Sequence, residues 1–191
     1  MSRRSVTLAV ALILVSSPAW SHPGHGSGLL SGLLHPLTGL DHLLALFAVG
    51  LWASIQSRRS QEWKLPALFV TLMVLGCALA FLGVGLPLVE AGITASVLLV
   101  GLLVAFMARL QPTLAMGLIA LFALLHGYGH GIDALQDPHP VLFLLGFVFT
   151  TLVLQLTGVM LGRALLERHQ AGLLRGLGWA TALAGAWLAW S

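Results

Sequence analysis

LLHPLTGLDHLLALFAVGLWASI, residues 33–55, poses the question that decides the fold. Its second half is apolar enough to lie in a bilayer, yet its first half carries His35, Asp41 and His42. Ionisable side chains are costly in hydrocarbon and are usually kept there for function. The rest of the chain has the same apolar character. Of 191 residues, 58% are hydrophobic and only 8% charged, and the mean hydropathy is +0.97. Soluble domains carry about 25% charged residues, so this chain lacks the polar groups to cover a water-facing surface. The fold class read from this is an all-α polytopic membrane protein. The formal charge of +3 comes from cations scattered along apolar sequence, which offers nucleic acid no basic face. The single cysteine, Cys77, excludes an intrachain disulfide, and its apolar neighbours mark it as inert packing.

The N-terminus has the pattern of a cleaved secretory signal peptide, residues 1–21. Arg3 and Arg4 are followed by a short apolar core and a small-residue site at Ala19-Trp20-Ser21, the order a signal peptidase reads. Residues 22–36 are then a histidine-containing periplasmic segment and 37–191 a six-helix transmembrane domain. A span needs about 20 apolar residues, and six runs qualify, at 37–55, 65–86, 91–108, 114–132, 141–162 and 173–190. Beyond the signal peptide the cations are Arg58, Arg59, Lys64, Arg109, Arg163, Arg168 and Arg175. All fall in or beside the first, third and fifth connections. Positive residues stay cytoplasmic, so both termini of the mature chain lie outside, as a secreted N-terminus also requires. The expected location is the bacterial inner membrane. Trp52 and Trp63 read as anchors at the inner face, and Trp187 and Trp190 at the outer. Gly158 and Gly162, at GxxxG spacing, read as close helix packing.

This topology puts two polar clusters at the same depth. His35, Asp41 and His42 open the first span, and His126, His130 and Asp133 close the fourth, in LHGYGHGID. His126, His130 and Asp133 stand at i, i+4 and i+7 and share one helical face. His35 and His42 share a face if the first helix runs through Pro36. Together they supply four imidazoles and two carboxylates without a thiolate, a set for a borderline divalent cation such as Ni²⁺, Co²⁺ or Zn²⁺. Gly127, Gly129 and Gly131 in one cluster, and Pro36 and Gly39 in the other, suggest helices that unwind locally around an ion. Broken helices in both halves of a transporter point to its binding site, and the pairing of span one with span four suits a three-plus-three inverted repeat. Two other readings compete: a proton relay along the His and Asp residues, and plain interhelical hydrogen bonding or Gly/His packing.

At these residues the chain resembles the HupE/UreJ family of small membrane proteins. The family's first motif, HPxxGxDH, is matched by His35-Pro36-Leu37-Thr38-Gly39-Leu40-Asp41-His42. Its second, close to FHGxAHGxE, is matched by residues 125–133 with Leu125 for Phe, Gly129 for Ala and Asp133 for Glu. The shorter Asp133 puts the metal geometry at that position in question. The resemblance implies a nickel permease serving hydrogenase or urease maturation, with cobalt handled by some relatives. It also implies that His35, Asp41 and His42 are essential, with His126, His130 and Asp133 as partners.

Several peripheral residues belong to the same expectation. His22 and His25, and His139 in the fourth connection, are candidates for capturing metal at the outer face. Glu90 reads as a helix N-terminal charge favoured by the dipole. Thr151 and Gln155 share a face of span five and read as interhelical hydrogen-bonding groups or as supports for metal ligands. The expected partners are the lipid bilayer and a transported Ni²⁺ or Co²⁺, less readily Zn²⁺, with no permanently bound cofactor; a homo-oligomer is left open. No Walker A motif is present, so the chain itself does not hydrolyse ATP. The alternatives are an intramembrane metal-dependent hydrolase, weakened by the lack of HExxH, and a non-transporting accessory subunit.

Overall fold

The computed structural model describes residues 27–58 and 61–190. The expected signal peptide, His22 and His25 lie outside the described residues. Among the described residues there are seven helices and no strand: α1 (Leu29–Thr38), α2 (Leu40–Gln56), α3 (Lys64–Phe81), α4 (Val89–Ala105), α5 (Pro112–Leu135), α6 (Pro140–Glu167) and α7 (Ala171–Leu188). α3, α5 and α6 are long and apolar enough to cross a membrane. α1 and α2 pass that test together, as one span bent by 83°. α4 is a shorter apolar helix of 17 residues. A multi-pass membrane protein follows from these helices.

The first span is broken where Pro36 and Gly39 suggested that the helix loosens, so residues 37–55 do not form one continuous helix. Its axis breaks at Gly39, which is extended at φ −88° and ψ 116°. Pro36 has no N–H to continue the helical ladder. The Thr38 hydroxyl donates to the His35 carbonyl at 3.0 Å, closing off the last turn of α1. α1 also begins at Leu29, so helix extends across the boundary expected between residues 36 and 37.

Glycine sets how closely the helices pack. A Cβ on Gly127 would strike the Met73 backbone, and one on Gly76 the Leu124 carbonyl, so α3 and α5 pack main chain against main chain. Gly50 and Gly158 do the same for α2 and α6, and Gly101, Gly178 and Gly185 for α4 and α7. The Gly158/Gly162 pair thus packs within the chain, against Phe47, Leu51 and Ser54. Without a hydrophobic driving force between helices in lipid, such close approach of small residues is what holds a bundle together.

The bundle has two chemically distinct ends. At one, Trp52 Nε1 donates to the Ala108 carbonyl at 2.9 Å, Arg109 Nε to Ile55 at 2.7 Å and Arg175 Nε to Ala105 at 3.1 Å. Arg163 pairs there with Glu62. A cavity of about 500 Å³ opens among Ser54, Glu62, Arg109, Arg163 and Glu167. Trp52 is fully buried, not the interfacial anchor its position suggests, because its indole N–H closes the end of α4. Cys77 is buried as expected. The opposite end carries the His35, His42, His126 and His130 cluster; His169 lies at the basic end, between α6 and α7.

Candidate metal centre

The polar cluster forms where α1 ends, α2 begins and α5 comes to its last turns. α2 starts with its N–H groups unpaired by helix, and Asp41 lies in that first turn. Asp41 Oδ1 accepts the His42 backbone N–H at 2.8 Å, a favourable place for a negative charge at a helix N-terminus. The same oxygen lies 2.9 Å from His42 Nδ1, but without the alignment of a hydrogen bond. Asp41 thereby fixes the start of α2 and stands against the His42 ring.

Across the break, His35 Nε2 and His130 Nδ1 each approach Asp133 Oδ2 at 3.2 Å. One carboxylate oxygen so ties the end of α1 to α5. The His42 ring centre is 4.3 Å from that of His130, and 5.9 Å from those of both His35 and His126. His35 and His130 are 5.0 Å apart. The structure thus brings all six cluster residues into one region, by a different route from the one read in the sequence. His35 and His42 do not share a helical face; they meet across an 83° bend.

The second cluster corrects another expectation. α5 is unbroken through Gly127, Gly129 and Gly131, so these glycines do not unwind it. Gly127 and Gly131 leave room for the α3 backbone at Met73 and Cys77, and Gly129 faces Ile93 and Val89 of α4. They are packing residues that let a histidine-bearing helix sit deep in the bundle.

His126 and His130 are fully buried. His126 Nδ1 contacts the Phe122 carbonyl at 2.9 Å, and a carbonyl only accepts. Nδ1 therefore carries the proton and Nε2 keeps its lone pair. The carboxylate of Asp133 does the same for His130. Neither Nε2 has a hydrogen-bond partner among the described residues. Buried polar atoms are nearly always paired, and a ring nitrogen oriented by its other nitrogen is how proteins prepare a histidine metal ligand. Ligand atoms of His35, His42 and His130 all lie within 4.8 Å of one another. A tetrahedral ion about 2.1 Å from each nitrogen sets them about 3.4 Å apart, a closure within the reach of side-chain rotation. His126 stands behind this trio, its ring 5.6 Å from Phe69.

The sequence reading missed the walls. Phe147 packs on His130 with ring centres 3.9 Å apart, and Phe143 meets His35 edge-on at 5.2 Å. Their i, i+4 spacing at the start of α6 is visible in the sequence but is common in any apolar helix. His139 lies apart from the cluster, exposed at the N-terminus of α6. Asp137 accepts its N–H at 2.8 Å and that of Gly28 at 2.9 Å, so Asp137 joins the α5–α6 connection to the residue before α1. Glu90 lies in the first turn of α4, as the dipole argument expects.

Comparison with known proteins gives two findings. The family described as "HupE / UreJ protein" matches residues 10–188. "Protein HupE" of Rhizobium leguminosarum bv. viciae is 38% identical over 189 residues, covering 97% of each chain. No solved structure matches the chain.

Proposed function

We propose that this protein, which belongs to the HupE/UreJ family, is a secondary permease that imports a divalent transition metal. The observation that carries this reading is the convergence of ligand atoms of His35, His42 and His130 within 4.8 Å, with a buried, unpartnered ring nitrogen on His42 and on His130. Ni²⁺ is the proposed cargo, with Co²⁺ next and Zn²⁺ less favoured. Imidazole suits all three, and the preference for nickel rests on the family. The ion passes through and none is held permanently. The cargo would serve the maturation of a metalloenzyme such as hydrogenase or urease.

The proposed topology has six spans: the bent α1–α2 pair, then α3, α4, α5, α6 and α7. Arg58, Lys64, Arg109, Arg163, Arg168 and Arg175 lie at or beside helix ends on the side away from the His/Asp cluster. The positive-inside rule puts that side in the cytoplasm and the cluster toward the periplasm, in the inner membrane. A cleaved leader over residues 1–21 agrees with this orientation, and His22, His25 and His139 are the proposed outer capture residues. An inverted repeat draws support from the packing. Exchanging spans one, two and three for four, five and six converts the α3–α5 pair into the α6–α2 pair and returns the α4–α7 pair to itself. These are the most extensive helix pairs of the bundle.

The test is radiolabelled Ni²⁺ and Co²⁺ uptake into proteoliposomes or cells, with Zn²⁺ competition and with and without an uncoupler. Wild type accumulates metal, and His42→Ala and Asp41→Ala do not, although both reach the membrane. Normal uptake by both variants sinks the reading. A metal that stays bound stoichiometrically, without vectorial flux, would instead favour an intramembrane hydrolase.

A further inference from the structure

We propose that Thr151 and Gln155 form a second cation-binding step inside α6, which takes the metal from the imidazole cluster and passes it toward the basic end of the bundle. The proposal rests on the permease reading. Both residues are fully buried. The Thr151 hydroxyl, the Gln155 amide oxygen and the Gln155 amide nitrogen all lack a hydrogen-bond partner among the described residues. Leaving them so is costly, since a buried polar group loses its water and gains nothing in return.

The neighbouring hydroxyls show that this is specific. Ser54 donates to Leu51, Ser96 to Ile93, Thr150 to Leu33 and Thr181 to Leu177. Each buried hydroxyl in these helices therefore has an acceptor except Thr151. Even Thr150, the adjacent residue, is satisfied. A residue needed only to join helices would bond as Thr150 does.

Position adds the second argument. Phe143, Phe147, Thr151 and Gln155 follow one another at intervals of four, a single slowly turning stripe along α6. Phe143 and Phe147 touch the imidazole cluster. Thr151 lies one turn beyond Phe147 and Gln155 two turns, about 6 and 12 Å along the axis. α6 is 28 residues long, so the two flank its midpoint, the depth at which transporters hold their cargo. Farther along the same helix, Arg163 meets Glu62 at the cavity of about 500 Å³. Along α6, Phe147 thus stands between the imidazole cluster and a pair of buried oxygen donors, the Thr151 hydroxyl and the Gln155 amide oxygen. Hydroxyl and amide oxygens bind nickel or cobalt less tightly than imidazole. Conduction needs sites that admit an ion without trapping it, and a descending series of ligands meets that need.

The experiment uses the full chain in two assays. Co²⁺ binding to purified protein in nanodiscs is read by visible absorption and affinity, and uptake is read in proteoliposomes. Gln155→Leu and Thr151→Val keep volume and remove the polar atoms, so thermal stability should hold or rise. The expected result is Co²⁺ absorption and affinity within twofold of wild type, with uptake down at least tenfold in Q155L. Thr151→Ser, which keeps the hydroxyl, should retain uptake within twofold. Wild-type uptake by the T151V/Q155L double variant overturns the proposal. So does a parallel loss of the Co²⁺ absorption, which would make these residues supports of the cluster. Loss of uphill accumulation with downhill flux intact would assign the pair to a coupling ion and also overturn it. If wild type itself carries no metal, the permease reading falls and takes this step with it; normal wild-type flux with normal Q155L flux removes only this step.

Discussion

Residues 35–42 and 126–133 have nearly the same ingredients: two histidines, an aspartate and residues that break helices. They fold in opposite ways. The first breaks at Gly39 and turns through 83°; the second runs on as an unbroken helix. The difference lies in what faces each glycine. Gly127 and Gly131 face the backbone of α3, so their missing side chains are compensated by close packing. Gly39 follows a proline that has already removed a rung of the ladder, and a Cβ there would meet only Asp41 Oδ1 and the His42 side chain. A glycine among histidines thus marks close approach when a partner helix fills the space, and a break when a proline precedes it. The site needs both: a rigid helix to hold His130 at depth and a bent one to bring His35 and His42 around it.

The largest expected effect comes from removing a histidine on either side of this contrast. His42→Ala and His130→Ala should each bring Ni²⁺ uptake to background while leaving membrane expression intact. If only one of the two mattered, the shared site would dissolve into two unrelated clusters. Next is the bridge between them. Asp133→Asn weakens the hold on both His35 and His130, and loss of such an orienting carboxylate typically lowers metal affinity 10- to 100-fold. Co²⁺ titration of the purified variant reads that loss.

The two glycines then separate by stability. Gly127→Ala forces a methyl group into the Met73 backbone and should cost about 1–3 kcal/mol, the range for overpacking a tight interface. Gly39 has an ordinary negative φ, so Gly39→Ala should cost less than about 1 kcal/mol, the scale of an unremarkable substitution. Thermal unfolding of the two variants in detergent compares them directly; equal losses would refute the packing account. A similarly small effect is expected at Thr150→Val. It frees the Leu33 carbonyl that Thr150 bonds at 2.9 Å, which is worth about 1 kcal/mol.

Much of this was legible in the sequence because hydrophobic runs and charges report directly on a bilayer. The helical class, the pairing of the two clusters and the separation of the cations from those clusters needed no coordinates. What the sequence hid was how backbone meets backbone. Gly127 and Gly39 look alike in composition, and only the position of α3 distinguishes them. Trp52 read as an anchor because aromatic residues favour interfaces, yet its N–H is spent on Ala108 inside the bundle. Thr151 and Gln155 were visible as a polar pair on one face, but their lack of partners is a property of the packed interior.

The central claim is that one ion sits between the bent α1–α2 segment and the straight α5. Anomalous diffraction at the nickel edge, from crystals of the full-length protein grown with Ni²⁺, tests it most directly. The account predicts one peak within bonding distance, about 2.1 Å, of ring nitrogens from His35, His42 and His130. A peak confined to the cavity at Glu62 and Glu167, or one that touches His130 but neither His35 nor His42, would contradict it.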